Sequence, residues 1–344
     1  MTKRHLPTLY LKELWRGHHA DLITVVTGIG FWVADHQPLS NISWWGAGVI
    51  FVLVTYLLYI LRDAWLSAAA LSGVVELPYS IVTNKPIEEA ELLFENHAQV
   101  LIDQGFSLTR VFERFLISRF DWRYFNQDRL EDEKWRDLVR DIRAHLIRLS
   151  KRITVPARYH LFFVTPPAVA LGLGAIVGRD IRSKAYQYFG PEQFVAIFDP
   201  ERGGSAESYH RHQVAVLPYT EIKVSESGLP EAEDVGIVLQ FVSHPLSPVA
   251  TTLPPASRIM TVSHIKFPGH IPSSHDWMKI AVELSSLILD QASKGKRVHL
   301  FFGLSAALAF SVGHLVGDHN PISVYHYDKK RDRYVRVFSL NEFT

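Results

Sequence analysis

The sequence predicts an α/β protein in which a two-helix transmembrane hairpin precedes a duplicated, mainly parallel Rossmann-like domain. Three observations predict this class: two long uncharged segments near the N-terminus, an internal repeat, and alternating strand and helix patterns around each copy. We expect residues 1–71 to form the membrane module and residues 72–105 a connector with an amphipathic helix. The duplicated domain is expected over 106–344, with halves at about 106–220 and 221–344.

The two uncharged segments have the lengths and flanks of membrane spans. Leu22–Ala34 and Trp44–Leu61 contain no charged side chain, which predicts spans at about 20–35 and 44–62. The second reaches the ~20 residues that a bilayer requires, whereas the first is short. Basic residues precede the first span and follow the second, and the loop between them has none. The positive-inside rule therefore places the N-terminus and the duplicated domain in the cytoplasm, with the hairpin in the inner membrane.

Two other interpretations of these segments are open. A cleaved signal peptide has a similar charge and apolar core, but Trp32 occupies the position where a small residue is expected before a cut after Ala34. A buried helical hairpin of a soluble protein is the second alternative. The lengths of the segments favour membrane spans over both.

An internal repeat organises the rest of the chain. Residues 160–178 read HLFFVTPPAVALGLGAIVG and residues 299–317 read HLFFGLSAALAFSVGHLVG, with nine of nineteen positions identical. Each copy has the form of a buried strand, a short turn and a helix of small residues. An amphipathic helix pattern precedes each copy, starting at Trp135 and at Trp277. Further strands are expected at Phe112–Ser118, Gln193–Phe198, Gln213–Leu217, Val235–Val242, Ile322–Tyr327 and Tyr334–Phe338.

Composition and motifs exclude several kinds of function. The net charge of +1 argues against a duplex nucleic-acid binder, and the absence of cysteine removes disulfides, zinc–thiolate sites and thiol nucleophiles. Gly172 and Gly174 fall inside a predicted helix, so they are not a dinucleotide fingerprint, and no Walker A motif occurs. The pairs His210/His212 and His314/His319 lack zinc-protease spacing. We therefore expect no catalytic residue, no cofactor and no metal site.

A duplicated Rossmann-like domain predicts where a ligand binds. Ligands of open parallel sheets bind beyond the carboxyl ends of the strands, against helix N-termini that favour anions. Two halves related by a pseudo-twofold axis would form a composite pocket for a pseudo-symmetric, phosphate-bearing ligand. The candidates in the two equivalent strand-to-helix turns and at other strand ends are Thr165, Pro166, Gly303, Leu304, Ser305, Asp199, Ser243 and His244. A simple helix cap explains each hydroxyl equally well.

The segment Arg258–Trp277 is the richest polar insertion, and we expect it to be a loop that arches over this pocket. Arg258 or Lys266 could neutralise a ligand phosphate, and His264 or Trp277 could stack on a base. A core position is the favoured explanation for Trp277, because it heads an amphipathic helix.

The paired halves and the final segment HLFFGLSAALAFSVGHLVGDHNPISVYHY resemble a SAVED domain with CARF-like halves. SAVED domains are sensor modules of CBASS anti-phage effectors and of some CRISPR-associated effectors. The two preceding spans are similar to those of the 2TM-SAVED effector class. The resemblance implies that a cyclic di- or trinucleotide made by a CD-NTase binds the domain, that the chain forms a homo-oligomer, and that the spans disrupt the lipid bilayer.

The alternative function is a membrane-tethered Rossmann-like regulator or enzyme that binds a small molecule and has a passive anchor. Deletion of residues 1–70 separates the two functions. A passive anchor predicts activity in the soluble fragment, whereas an effector predicts ligand binding without toxicity.

Overall fold

The computed structural model describes residues 52, 54–61, 74–106, 108–118, 120–126, 134–153, 155–178, 181–189, 193–200, 218–242, 249–267 and 269–344. The predicted span at 20–35, most of the predicted span at 44–62 and the predicted strand Gln213–Leu217 lie outside these residues. Within the described ranges, no helix combines the length and the apolar character needed to cross a membrane. The hairpin therefore stays a prediction.

The chain divides into two compact units. The smaller unit comprises residues 1–75, 107–116 and 154–157, and the larger comprises 76–106, 117–153 and 158–344. Both β-sheets belong to the larger unit, apart from the first residue of each of two strands.

The first sheet has five strands in the order β2-β1-β3-β4-β5. β1 pairs with β2 and β3 with β4 in parallel, whereas β5 is antiparallel to β4. The strands are β1 (Val75–Thr83), β2 (Arg123–Asn126), β3 (Ala157–Val164), β4 (Ser183–Tyr188) and β5 (Phe194–Phe198). The helices of this part of the chain are α1 (Ile87–Asp103), α2 (Leu108–Phe115), α3 (Lys134–Arg152) and α4 (Pro167–Val177).

The second sheet has six strands in the order β11-β10-β9-β7-β8-β6. The four central strands are parallel, and β6 and β11 run antiparallel at the two edges. The strands are β6 (Ile222–Ser227), β7 (Asp234–Gln240), β8 (Arg258–His264), β9 (Arg297–Gly303), β10 (Ser323–Asp328) and β11 (Arg333–Ser339). The helices are α5 (Trp277–Ser293) and α6 (Ala306–Val316), with short 3₁₀ turns at Val249–Thr251 and Leu340–Phe343.

The two mixed sheets share one topology. The order β5-β4-β3-β1-β2 in the first corresponds strand by strand to β11-β10-β9-β7-β8 in the second, which adds only the edge strand β6. The predicted α/β class and the duplication are therefore confirmed. The two copies of the sequence repeat form β3–α4 and β9–α6, as their buried apolar runs predict.

The predicted strand at Phe112–Ser118 is wrong, because Leu108–Phe115 forms α2. Leu108, Val111 and Phe115 recur at i, i+3 and i+7, which is the periodicity of a helix. β1 takes the position of the predicted strand in the first sheet. Residues 75–103 therefore form the first strand and the first helix of that half rather than a connector. The boundary predicted at residue 106 falls after both elements.

Two further differences concern the strands. Residues 194–198 form β5 as expected, but this strand corresponds to β11 rather than to β10. The counterpart of β10 is β4. Its sequence, Ser-Lys-Ala-Tyr-Gln-Tyr, has no long apolar run that would predict a strand. The first part of the predicted loop Arg258–Trp277 is strand β8.

The first histidine of each repeat forms hydrogen bonds to side chains on the two neighbouring strands. His160 on β3 lies 2.7 Å by Nδ1 from the Tyr186 hydroxyl on β4 and 2.7 Å by Nε2 from Glu76 on β1. His299 on β9 makes the equivalent pair of contacts, at 3.1 Å to Tyr325 and 3.0 Å to Asp234. Burial lowers the pKa of His160, so its ring is neutral at pH 7. The sequence identity of these histidines thus has a structural explanation.

The lowered pKa of Asp234 predicts that the folded state loses stability in acid. Hydrogen bonds from Arg297, at 2.9 and 2.6 Å, lower the pKa of Asp234 to about 2. A lowered carboxyl pKa stabilises the fold above the unfolded value of about 3.9, and this contribution is lost as the pH falls towards 2. We expect Asp234→Asn to lower the unfolding midpoint at pH 7 and to show a smaller loss of stability between pH 4 and pH 2. Thermal unfolding across pH 2–7 measures both effects.

Glu233→Gln is the matched control. The Glu233 carboxylate also contacts Arg297, at 3.0 Å, but its side chain is 78% exposed, so water screens the pair and we expect little change. An equal effect of both substitutions would contradict the role assigned to Asp234.

Candidate functional site

The two equivalent strand-to-helix turns lead into a closely packed helix pair. A Cβ atom on Gly174 of α4 would collide with the carbonyl oxygen of Phe310 on α6, and one on Gly313 of α6 would collide with the carbonyl oxygen of Leu171 on α4. These reciprocal contacts lie 139 residues apart in the sequence, so they define a pseudo-twofold relation between the helices. The structure therefore brings the two halves together along α4 and α6.

The residues of these turns have different local roles. Ser305 is the N-cap of α6, and its side chain accepts a hydrogen bond of 3.3 Å from the amide of Leu308. Pro166 is the N-cap position of α4 and has no side-chain cap, while Thr165 Oγ1 lies 2.9 Å from Thr83 Oγ1 at the end of β1. Leu304 is buried. Each helix start has a positive dipole end, which suits an anionic ligand. The start of α4 offers fewer free backbone N–H groups than that of α6, because its first residue is Pro167.

The carboxyl ends of three parallel strands meet at one edge of the second sheet. In register, Gln240 of β7 pairs with Gly303 of β9, and Leu239 pairs with Val262 of β8, close to its last residue His264. This edge thus carries two of the predicted binding positions, His264 and Gly303. Ser243 and His244, which follow β7, lie outside the described residues.

Arg258 and His264 lie at opposite ends of β8. Six residue steps separate them, roughly 20 Å along a strand. Arg258 is therefore at the amino edge of the sheet, where its guanidinium donates to Glu226 of β6 at 2.6 and 3.2 Å. The structure does not bring it together with His264.

Asp199 is also placed at an amino edge, because β5 runs antiparallel to β4. Its carboxylate lies 3.2 Å from the ammonium of Lys184, near the start of β4. Asp199 lines a cavity of about 480 Å³ together with Val195–Ile197 of β5 and Ser273–Met278. Trp277, named above as a possible base-stacking residue, also lines this cavity.

The segment after β8 carries Lys266 and ends at Trp277. Lys266 is exposed, as a phosphate-contacting cation must be, and its amide donates to His264 Nδ1 at 3.0 Å. Trp277 is buried, donates from Nε1 to the carbonyl of Pro272 at 3.0 Å, and meets the Phe189 ring edge-on at 5.5 Å. The expected core position of Trp277 is confirmed.

Two residues near His264 were not predicted from the sequence. Glu221 and His275 lie close to His264, with His275 Nε2 at 2.8 Å from Glu221 and 3.0 Å from His264 Nε2. Burial lowers the pKa of His264. Burial opposes ionisation of Glu221, but hydrogen bonds from His275 and Lys279 outweigh it and lower the pKa of that carboxyl. These residues are 54 positions apart, so no short motif could reveal them.

Comparisons with known proteins bear on the same region. Residues 187–340 match the SAVED family, described as a "SMODS-associated and fused to various effectors sensor domain". No curated protein is similar enough to match the chain.

Several solved structures are similar to parts of this chain. An Acinetobacter baumannii Cap4 SAVED/CARF-domain containing receptor with the cyclic trinucleotide 3'3'3'-cAAA is 10% identical, with a TM-score of 0.46 over 84% of this chain and 56% of that one. The same receptor with 2'3'3'-cAAA gives 10% identity and a TM-score of 0.47 over the same shares. A Moraxella osloensis Cap4 SAVED/CARF-domain containing receptor is 11% identical, with a TM-score of 0.38 over 64% of this chain and 47% of that one.

The chain spans about half the length of these receptors. The family match begins within β4 and runs through β11, so it includes the whole second sheet. Residues 187–340 of this chain are therefore similar to the SAVED sensor domain.

Proposed function

We propose that this chain is a membrane effector of a cyclic-oligonucleotide anti-phage (CBASS) system. The observation that supports the sensing step is the SAVED match over residues 187–340, because that family is described as a sensor domain fused to effectors. In this proposal the domain binds a cyclic di- or trinucleotide made by a CD-NTase. Two half-domains related by a pseudo-twofold axis present paired helix N-termini, which suit a ligand with repeated phosphates.

The effector step is assigned to the N-terminal segments. Ligand binding would drive homo-oligomerisation, and the hairpin predicted at about 20–35 and 44–62 would then disrupt the inner membrane. The uncharged segments and their basic flanks support this step. The sensor domain would lie in the cytoplasm, where the second messenger is made, and no enzymatic activity is required for the output.

Dye release from vesicles tests the whole proposal. The purified full chain is reconstituted into vesicles and mixed with a panel of cyclic di- and trinucleotides that includes 3'3'3'-cAAA. We expect one ligand to bind and to release dye, and a linear oligonucleotide of the same composition to do neither. Binding without release would contradict membrane disruption, and the absence of binding across the panel would contradict cyclic-oligonucleotide sensing.

Lys266 provides a prediction about the ligand contact. It is an exposed cation just beyond the carboxyl end of β8, at the same edge of the sheet as the turn that begins α6. We expect Lys266→Ala to weaken binding of the active ligand about tenfold, about 1.4 kcal/mol, the scale of one charge-assisted phosphate contact. Titration calorimetry measures the change.

Lys294→Ala is the control for Lys266. Lys294 is equally a surface lysine, but it follows the C-terminus of α5 and pairs with Asp290 at 2.6 Å, near the amino edge of the sheet. Its removal should leave affinity unchanged. Equal losses in the two variants would indicate a general effect of charge rather than a contact at the carboxyl edge.

A further inference from the structure

We infer that Glu221, His264 and His275 form a binding site for a divalent transition-metal cation, with zinc as the best fit. The three residues come from different segments: Glu221 precedes β6, His264 ends β8, and His275 lies in the loop before α5. The inference goes beyond the proposed function and does not depend on it.

The ligand atoms converge on one point. His264 Nε2 lies 3.0 Å from His275 Nε2 and 3.5 Å from Glu221 Oε2, and His275 Nε2 lies 2.8 Å from the same oxygen. Zinc bonds to imidazole nitrogen and carboxylate oxygen are about 2.0–2.2 Å, so two ligands of a tetrahedral ion lie roughly 3.3 Å apart. The observed spacings bracket that value. Two histidines and a carboxylate are a donor set that zinc prefers.

Hydrogen bonding alone does not satisfy this cluster. His264 Nδ1 accepts the amides of Lys266 and Phe267 at 3.0 and 3.1 Å, so the proton of the neutral ring lies on Nε2. His275 Nε2 cannot both accept from that N–H and donate to Glu221, because one ring nitrogen has either a proton or a free lone pair. One of the short contacts is therefore unsatisfied.

A cation removes this conflict. When the metal binds, the ring proton of His264 moves from Nε2 to Nδ1, the amides of Lys266 and Phe267 change to other acceptors, and three lone pairs then point at one ion.

Surrounding contacts hold the carboxylate ligand in place. Lys279 donates to the other oxygen of Glu221 at 3.0 Å, and Glu283 accepts the amide of Glu221 at 2.9 Å. Such outer contacts orient metal ligands. His275 also lines the cavity of about 480 Å³, which offers a route for entry of the ion. A bound cation would tie the edge strand β6, its neighbour β8 and the loop into α5 together.

Zinc binding by the full chain, purified with a histidine-free tag, tests the inference. After one equivalent of Zn²⁺ and desalting, we expect about one retained zinc per chain by elemental analysis. Co²⁺ in its place should give the visible absorption bands of a tetrahedral site. His275→Ala and Glu221→Gln should each weaken zinc binding at least tenfold, and zinc should raise the unfolding temperature of the unsubstituted chain but of neither of these two variants.

His270→Ala is the control, because His270 is an exposed histidine of the same loop. It should retain zinc and the cobalt spectrum. Retention of zinc in all variants, or its absence from the unsubstituted chain, would overturn the assignment. Circular dichroism of each variant separates loss of the site from loss of the fold.

Discussion

Gly174→Ala and Gly313→Ala are each expected to destabilise the sensor fold by about 3 kcal/mol, the upper part of the range for overpacking a close contact. Each added methyl would meet backbone atoms of the facing helix, which no change of rotamer can move. The same substitution gains about 1 kcal/mol of helix propensity, so any net loss measures the steric contact. Thermal unfolding and limited proteolysis of the full chain provide the readouts.

Gly172→Ala is the control on the same helix. Its Cβ would meet side-chain atoms, Phe338 Cζ at 2.9 Å and Val139 Cγ2 at 3.3 Å, which can shift slightly. It gains the same helix propensity, so we expect a clearly smaller loss than for Gly174→Ala. If Gly174→Ala and Gly313→Ala were no less stable than Gly172→Ala, the reciprocal contact of α4 and α6 would be contradicted.

The sequence predicted those parts of the fold in which a continuous apolar pattern marks a buried strand or helix. β3–α4 and β9–α6 are apolar on all sides because both faces are covered, and the repetition of one pattern at a constant spacing reinforced the assignment. β1 was missed because its buried polar groups interrupt the apolar run. Ser80 lies 2.5 Å by its hydroxyl from His97 Nδ1, and Thr83 lies 2.9 Å from Thr165, so both are satisfied inside the structure.

The candidate site was predictable only where it follows from topology. The turns at Thr165 and Ser305 follow from the repeat, and the carboxyl-edge position of His264 follows from the direction of β8. The amino-edge positions of Arg258 and Asp199 were missed. Arg258 begins a strand that was expected to be a loop. Asp199 follows β5, and no local sequence pattern predicts that β5 runs antiparallel to β4.

Glu283→Ala is expected to lower the free energy of unfolding by about 3 kcal/mol, because it leaves several donors without an acceptor. Glu283 is 5% exposed and lies on the buried side of α5. Its carboxylate accepts the amides of Thr220, Glu221 and Ile222, at 2.9, 2.9 and 3.0 Å, and the Thr220 hydroxyl at 2.9 Å. It thus anchors the start of the edge strand β6 to α5. Denaturant unfolding of the full chain measures the loss.

Asp290→Ala on the same helix is the control, because the pair of Asp290 with Lys294 is on the surface and should contribute less than about 1 kcal/mol. Glu283→Gln should fall between them, since an amide keeps one acceptor oxygen and turns an N–H₂ group towards donors. Because Glu283 positions Glu221, the alanine variant should also bind zinc more weakly than Asp290→Ala. Zinc affinity unchanged in Glu283→Ala would show that the Glu221 backbone holds its position without this anchor, and an unfolding free energy equal to that of Asp290→Ala would refute the anchor itself.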